Sequence, residues 1–291
     1  MDSQKNIPLQ ELKDPLITPT GVQVFILRLD LIHTTITGNK YFKLKYNLEE
    51  IKRLGQKTLL TFGGAYSNHI VATAVAGKAN NIVTIGMIRG EELTETSNPV
   101  LAKAAENGMR LHFVTREEYR KRYREEYHEE LKAKFGDFYL LPEGGSNMLA
   151  VKGCSEILSA VEEKFDFVCV PVGTGATMAG IASSVKKTQQ VIGFAVLANA
   201  AFLDEEVTNM AKEFTGKEPH NAKIIHDFHF GRYGRTTGEL DKFIKRFISE
   251  NNIPIEPVYT GKMLFGIYDM IKGGCFVRGE KVLIVHTGGI H

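Results

Sequence analysis

The pattern with the most definite chemistry is Gly173-Thr174-Gly175-Ala176-Thr177, which follows the apolar run VCVPV and opens the small-residue stretch MAGIASS. Glycines let successive backbone N–H groups turn toward one anion, and a following helix adds its positive end. Thr174 and Thr177 add hydroxyl donors, so the segment reads as a phosphate cradle. It is not a Walker A loop, because no GKS or GKT follows. A dinucleotide fits poorly: Met178 stands where a third glycine is needed, and no acid follows the next strand until Asp204. A single terminal phosphate is the ligand that fits. A second glycine loop, Gly63-Gly64-Ala65-Tyr66-Ser67-Asn68-His69, opens another helical stretch and suits a carboxylate by the same physics, with Ser67 or Asn68 also able to act as a plain N-cap. A third glycine turn, His286-Thr287-Gly288-Gly289, ends the last apolar run. Lys40 stands with Lys43 and Lys45 in TGNKYFKLKY; by residue type alone such a lysine is ordinarily a solvated charge.

These loops need elements to hold them. Short apolar runs begin at Val22, Thr58, Asn81, Met109, Phe138, Phe165, Gln190 and Lys281. They are near-continuous and rich in β-branched or aromatic residues, as strands buried on both faces are. Helix-like stretches lie between them, at Ser67–Asn80, Asn98–Asn107, Met148–Lys164 and Thr177–Lys187. The alternation predicts an α/β fold of mostly parallel open sheets covered by helices. The glycine loops follow strand ends, where open α/β sheets bind ligands. The stretch from Arg116 to Gly136, dense in alternating charge, reads as a solvated helix.

With 291 residues, 43% hydrophobic and 24% charged, the chain is ordinary globular protein, and a formal net charge of +2 argues against nucleic acid or an anionic membrane as partner. Cys154, Cys169 and Cys275 share no metal-ligand spacing and read as buried free thiols in a reducing, cytoplasmic compartment; no metal is expected. The polar N-terminus is neither a secretory signal nor an anchor.

GNKYFKLKYNLEE resembles the GNK-x-x-KL-x-Y segment of the 1-aminocyclopropane-1-carboxylate deaminase / D-cysteine desulfhydrase family, pyridoxal-phosphate enzymes of the tryptophan-synthase-β-like fold type. The similarity runs through GGAYSNH, LPEGGSN, VGTGATMAG, GRYGR, PVYTGK and HTGG, in order and over almost the whole chain. The resemblance implies pyridoxal 5′-phosphate as cofactor and Lys40, directly after Gly-Asn, as the lysine that carries it, with Lys43 as the rival. It implies that Asn68 meets the cofactor's 3′-oxygen and that Gly173, Thr174, Gly175, Ala176 and Thr177 hold its phosphate. Ser67, Asn68 and His69 are then the substrate-carboxylate loop, with Ser67 also in proton transfer. Tyr233 and Tyr259 are expected to flank the reacting carbons, and Thr260 or Thr287 to approach the pyridine nitrogen.

Three features depart from the family pattern. Ala176 replaces a glycine, which is tolerable if its φ is negative. Phe42 replaces an arginine. The chain ends directly after HTGG, where relatives run on. The deaminases of the family carry glutamate where Thr260 stands, and that carboxylate supports a protonated ring, a deep electron sink suited to opening a cyclopropane. A neutral threonine favours β-elimination, D-cysteine to pyruvate, sulfide and ammonia. The alternatives are deamination of 1-aminocyclopropane-1-carboxylate to 2-oxobutyrate and ammonia, and a degenerate relative that binds cofactor or amino acid without turnover. The expected organisation is a larger cofactor-binding domain from residues 1–45 and 159–291, and a smaller α/β domain at 46–158. The expected partner is a small amino acid, with no nucleic acid or membrane, and by resemblance the protein is a homo-oligomer, a dimer.

Overall fold

The computed structural model describes residues 7–33, 36–231 and 234–289. The chain divides into two compact units. One runs up to Phe42 and resumes at Val151; the other is Lys43–Ala150. Both divisions fall inside helices, three and eight residues ahead of the positions read from the sequence, so no change in composition marks them.

The first unit holds a six-stranded sheet of β1 (Leu9–Glu11), β2 (Gln23–Arg28), β7 (Phe167–Val172), β8 (Gln190–Ala195), β9 (Ala222–Ile225) and β10 (Lys281–His286). Their order is β1-β2-β10-β7-β8-β9, parallel except for the antiparallel pair β1 and β2. Its helices are α6 (Met148–Cys154), α7 (Ala176–Ser184), α8 (Phe202–Thr215), α9 (Gly238–Asn251) and α10 (Thr260–Lys272), with the start of α1 (Asn39–Arg53). A core of Ile26, Phe194, Phe247, Leu264 and Ile284 joins the sheet to α9 and α10. The second unit holds β3 (Thr58–Gly64), β4 (Val83–Arg89), β5 (Arg110–Val114) and β6 (Tyr139–Leu141), all parallel in the order β5-β4-β3-β6. Its other helices are α2 (Asn68–Asn80), α3 (Pro99–Glu106), α4 (Arg116–Arg120) and α5 (Glu125–Phe135). The period of two along a strand divides its core: Leu60, Phe62, Ile85 and Met87 join one cluster, while Ile88 joins Ile70 and Leu101 in another.

Strand order explains where the loops lie. In the second unit the chain steps from β3 outward through β4 to β5, then returns to place β6 on the other side of β3. In the first it steps from β7 through β8 to β9, then returns to place β10 on the other side of β7. Each reversal is a topological switch point, where the loops leaving neighbouring strands diverge and open a crevice. The loops after β3 and β6 are Gly64–Ser67 and Glu143–Gly145; those after β7 and β10 are Gly173–Gly175 and Thr287–Gly289.

Several expectations change. A helix not read from the sequence, α1, begins at Asn39 and carries Lys40 in its first turn. The helix predicted for Met148–Lys164 ends at Cys154. The Ser155 and Ser159 hydroxyls donate to the carbonyls of Lys152 and Glu156, a local bond that competes with the helical ladder. The charged stretch is not one solvated helix. It breaks into α4 and α5, with Tyr119, Tyr127 and Leu131 buried in the core. The Tyr119 hydroxyl and Arg122 Nε both donate to Glu143, each at 2.7 Å.

Cys154 and Cys169 are buried, but Cys275 is exposed, against the expectation of three buried thiols. Burial pushes the Cys169 thiol far up from its ordinary pKa. A thiol reagent is expected to modify native protein at Cys275 and leave the other two intact; equal labelling of Cys275→Ser would show that this interior opens. Among the described residues no helix is long and apolar enough to cross a membrane.

Candidate active site

In the first unit the glycine loop after β7 leads straight into α7. Gly175 is the N-cap residue at φ +80°, a left-handed conformation that L side chains rarely adopt, and no side chain caps the helix. The first N–H groups of α7 are therefore left without a side-chain acceptor, as an anion site requires. Ala176 is the first residue of α7, is fully buried and does not have a positive φ, so alanine fits where relatives carry glycine. Gly173 has little room for a side chain: a Cβ there would lie 3.1 Å from the Tyr259 ring, which would have to give by a few tenths of an ångström. Tyr259 thus lies against the start of this glycine loop.

The start of α1 joins this loop to the turn after β10. The Asn39 amide donates to Thr177 Oγ1 at 2.8 Å, tying the residue before Lys40 to the cradle. The Asn39 N–H donates to the Thr287 carbonyl at 3.2 Å, which joins the same turn to the end of β10. Gly38, at φ +68°, packs so closely there that a Cβ would lie 1.9 Å from the Thr287 carbonyl oxygen. Lys40 follows in the first turn of α1, partly exposed, with its ammonium 3.2 Å from Asn39 Oδ1.

The β10 turn is fixed from the other side by His286. Its Nδ1 accepts from Gly288 N–H at 3.1 Å, and its Nε2 lies 2.8 Å from the Pro254 carbonyl. This network assigns the proton to Nε2 of a neutral ring, and burial lowers the pKa of His286 in the same sense. Pro254 leads into Glu256, whose carboxylate accepts the N–H groups of Val258, Tyr259 and Thr260 at 2.6–3.0 Å. Thr260 then opens α10, completely buried, and its Oγ1 has no hydrogen-bond partner. The Glu256 carboxylate is near it without meeting hydrogen-bond geometry.

In the second unit the loop after β3 closes through a bond from Ser67 N–H to the Gly64 carbonyl at 3.1 Å, and α2 begins at Asn68. Ser67 takes the N-cap position, yet its hydroxyl makes no capping bond, so the capping explanation of this serine does not hold. Ser67 and Asn68 are both partly exposed. His69 differs: it is 2% exposed, with Nε2 2.7 Å from Thr61 Oγ1, which itself donates to the Leu141 carbonyl at 2.7 Å. His69 therefore ties α2 to β3 and β6. Lys43 is likewise buried and donates to the Gly144 carbonyl at 2.9 Å.

Of the residues expected at the site, the first unit brings together Lys40, Gly173, Thr174, Gly175, Ala176, Thr177, Tyr259, Thr260 and Thr287. Tyr233 lies outside the described residues. Motif reading missed Asn39, His286 and Glu256. Asn39 and His286 stood inside quoted motifs, but only the fold shows their partners. Phe42 is 1% exposed, so its exchange for arginine is a packing change in an interior position.

Residues 2–288 match the family described as pyridoxal-phosphate dependent enzyme. The chain is 32% identical over 293 residues to a Pyrococcus horikoshii protein provisionally named 1-aminocyclopropane-1-carboxylate deaminase, covering 97% of this chain and 89% of that one. It is 29% identical over 296 residues to the mitochondrial bifunctional D-cysteine desulfhydrase/1-aminocyclopropane-1-carboxylate deaminase of Arabidopsis thaliana, covering 94% of this chain and 73% of the other. The crystal structure of a 1-aminocyclopropane-1-carboxylate deaminase homologue superposes with a TM-score of 0.86 at 30% identity, over 98% of this chain and 90% of that one. A match that spans both units makes this chain a member of the pyridoxal-phosphate-dependent enzymes, of the fold type that includes the 1-aminocyclopropane-1-carboxylate deaminase homologues.

Proposed function

We propose that the chain catalyses β-elimination on a small amino acid, with D-cysteine as the first substrate to test: D-cysteine and water give pyruvate, hydrogen sulfide and ammonia. The observation that carries this reading is Thr260, a neutral hydroxyl, fully buried and unpartnered, at the head of α10.

The residues present fit pyridoxal phosphate. An orphaned buried hydroxyl suits a ring nitrogen. The uncapped start of α7, with Gly173 and Gly175, suits a terminal phosphate. When bound, the cofactor supplies an electron sink that weakens the bonds at a substrate's α-carbon. Lys40 holds it and, released as a neutral amine, moves the α-proton. Backbone N–H groups from Gly173 to Thr177 hold the phosphate, and Asn39 fixes Thr177 for that duty. Ser67 and Asn68 take the substrate carboxylate, with His69 as the group that positions them. Tyr259, held by Glu256 through its N–H, is placed to donate a proton.

Thr260 selects the reaction by charge. Opening a cyclopropane leaves electrons on a carbon with no acceptor of its own, so it needs a strongly electron-withdrawing ring. In β-elimination the departing sulfide takes the electron pair, and a weaker sink is enough. A second reading, deamination of 1-aminocyclopropane-1-carboxylate, is favoured by the buried Glu256 carboxylate beside Thr260 and by the names of the relatives above.

The test is keto-acid release from D-cysteine, L-cysteine, β-chloro-D-alanine, D-serine and 1-aminocyclopropane-1-carboxylate by the reconstituted protein. Pyruvate from D-cysteine is expected. 2-Oxobutyrate from the cyclopropane acid, without pyruvate, replaces the first reading by the second. Thr260→Glu is expected to move the ratio of ring opening to elimination about tenfold, a relative barrier of about 1.4 kcal/mol. An unchanged ratio removes Thr260 as the selector.

A further inference from the structure

Glu256 accepts from four successive N–H groups at the start of α10. Its carboxylate takes the N–H groups of Val258 at 2.6 Å, Tyr259 at 2.9 and 3.0 Å and Thr260 at 2.6 Å, and its backbone carbonyl takes that of Gly261 at 2.9 Å. A bare helix start presents about half a positive charge. A carboxylate seated on it opposes that positive end. All these bonds have Glu256 as acceptor, which the ionised carboxylate satisfies. Burial pushes its pKa up, while the three N–H donors and the helix start act against that. The charged group that faces it is Lys262, itself buried, whose ammonium donates to the carbonyls of His229 at 2.8 Å and Val196 at 3.3 Å. Thr260 Oγ1 is the polar atom that this assembly leaves without a partner.

We propose that Glu256 is a positioning residue for the cofactor ring, placing a negative charge behind the Thr260 hydroxyl and so favouring a protonated ring nitrogen. The inference rests on the reading above that Thr260 meets that nitrogen. It puts a carboxylate behind the threonine of VYTGK, carried by a residue upstream of the motif, without placing a charge at the threonine itself.

A helix cap alone affects folding. A charge behind Thr260 also affects the cofactor's electronics, so the readout is the pH midpoint of the lysine-linked cofactor's visible absorption, taken with kcat and KM on the preferred amino acid. Thr260→Val removes the hydroxyl at nearly constant shape; Glu256→Gln removes the charge. Both are expected to move the midpoint in the same direction and to lower kcat about tenfold with KM changed less than about threefold. The double variant is expected to move it no further than the larger single change, since the two groups act as one unit. Glu256→Asp, with the charge drawn back, is expected to fall between wild type and Glu256→Gln. If Thr260→Val moves the midpoint and kcat while Glu256→Gln leaves both at wild type, Glu256 is a cap only and the inference is overturned. If Thr260→Val moves neither, Thr260 does not meet the ring, and both the inference and the reading beneath it fail. Should Glu256→Gln not fold, Glu256→Asp decides: a wild-type midpoint overturns the proposal.

Discussion

Lys40→Ala is expected to abolish the lysine-linked visible absorption of the cofactor and to lower kcat/KM by about 10³-fold or more, because the same amine holds the cofactor and moves the proton. The prediction is sharp because a second lysine lies one helical turn away. Lys43 points its ammonium at the Gly144 carbonyl, 2.9 Å away, and is 2% exposed. Lys40 is partly exposed and adjoins Asn39, whose amide is bonded to Thr177 of the phosphate loop. One lysine is thus a strut of the second unit, and the other is placed beside the cradle of the first. Lys43→Met should therefore keep the absorption and show its effect as a loss of stability of about 1–3 kcal/mol, from the Gly144 carbonyl left unsatisfied. Absorption that survives Lys40→Ala and disappears with Lys43→Met would exchange the two assignments. Absorption that survives both would remove the lysine segment from the site.

The contrast between the two lysines shows what could be read in the sequence. Periodicity was sufficient for the buried strands, because a strand covered on both faces must be apolar where it is buried: β7 is apolar throughout, and β8 and β10 are apolar from Val191 to Ala195 and from Val282 to Val285. Glycine spacing was sufficient for the turn from β7 into α7, because Gly175 takes a φ of +80° that few other residues allow. Strand order was not legible. The reversal beside β7 and the reversal beside β3 depend on long-range pairing, and they decide which loops face a crevice. Polar residues were legible by type but not by duty. Ser67 looks like an N-cap and makes no capping bond. His69 looks like a ligand and is bonded to Thr61 in the interior. Glu256 belongs to no glycine motif, yet it organises the head of α10. In each case the deciding quantity is the partner of one side-chain atom, and that partner lies in an element far away in sequence or across a turn.

Gly38→Ala is the second large effect expected, and its cause can be isolated. Two penalties apply at this position. The left-handed φ of +68° costs an L residue about 1–2 kcal/mol. The added Cβ would also lie 1.9 Å from the Thr287 carbonyl oxygen and 2.9 Å from the Gly288 Cα, both backbone atoms that cannot rotate away. Gly55 has the same φ of +68° with nothing within 4 Å, so Gly55→Ala carries the first penalty without the second. Gly55→Ala is therefore expected to lower stability by about 1 kcal/mol and to leave cofactor affinity unchanged. Gly38→Ala is expected to cost about 3 kcal/mol or more, since relief requires the turn after β10 to separate from the start of α1. That separation breaks the bond from Asn39 N–H to the Thr287 carbonyl and displaces the Asn39 amide from Thr177. Cofactor affinity should then fall together with stability, measured by equilibrium titration of the apoprotein beside its thermal melt. Equal losses in the two alanine variants would mean that the close approach of Gly38 to Thr287 does not hold the site together, and that the phosphate loop is positioned by β7 and α7 alone.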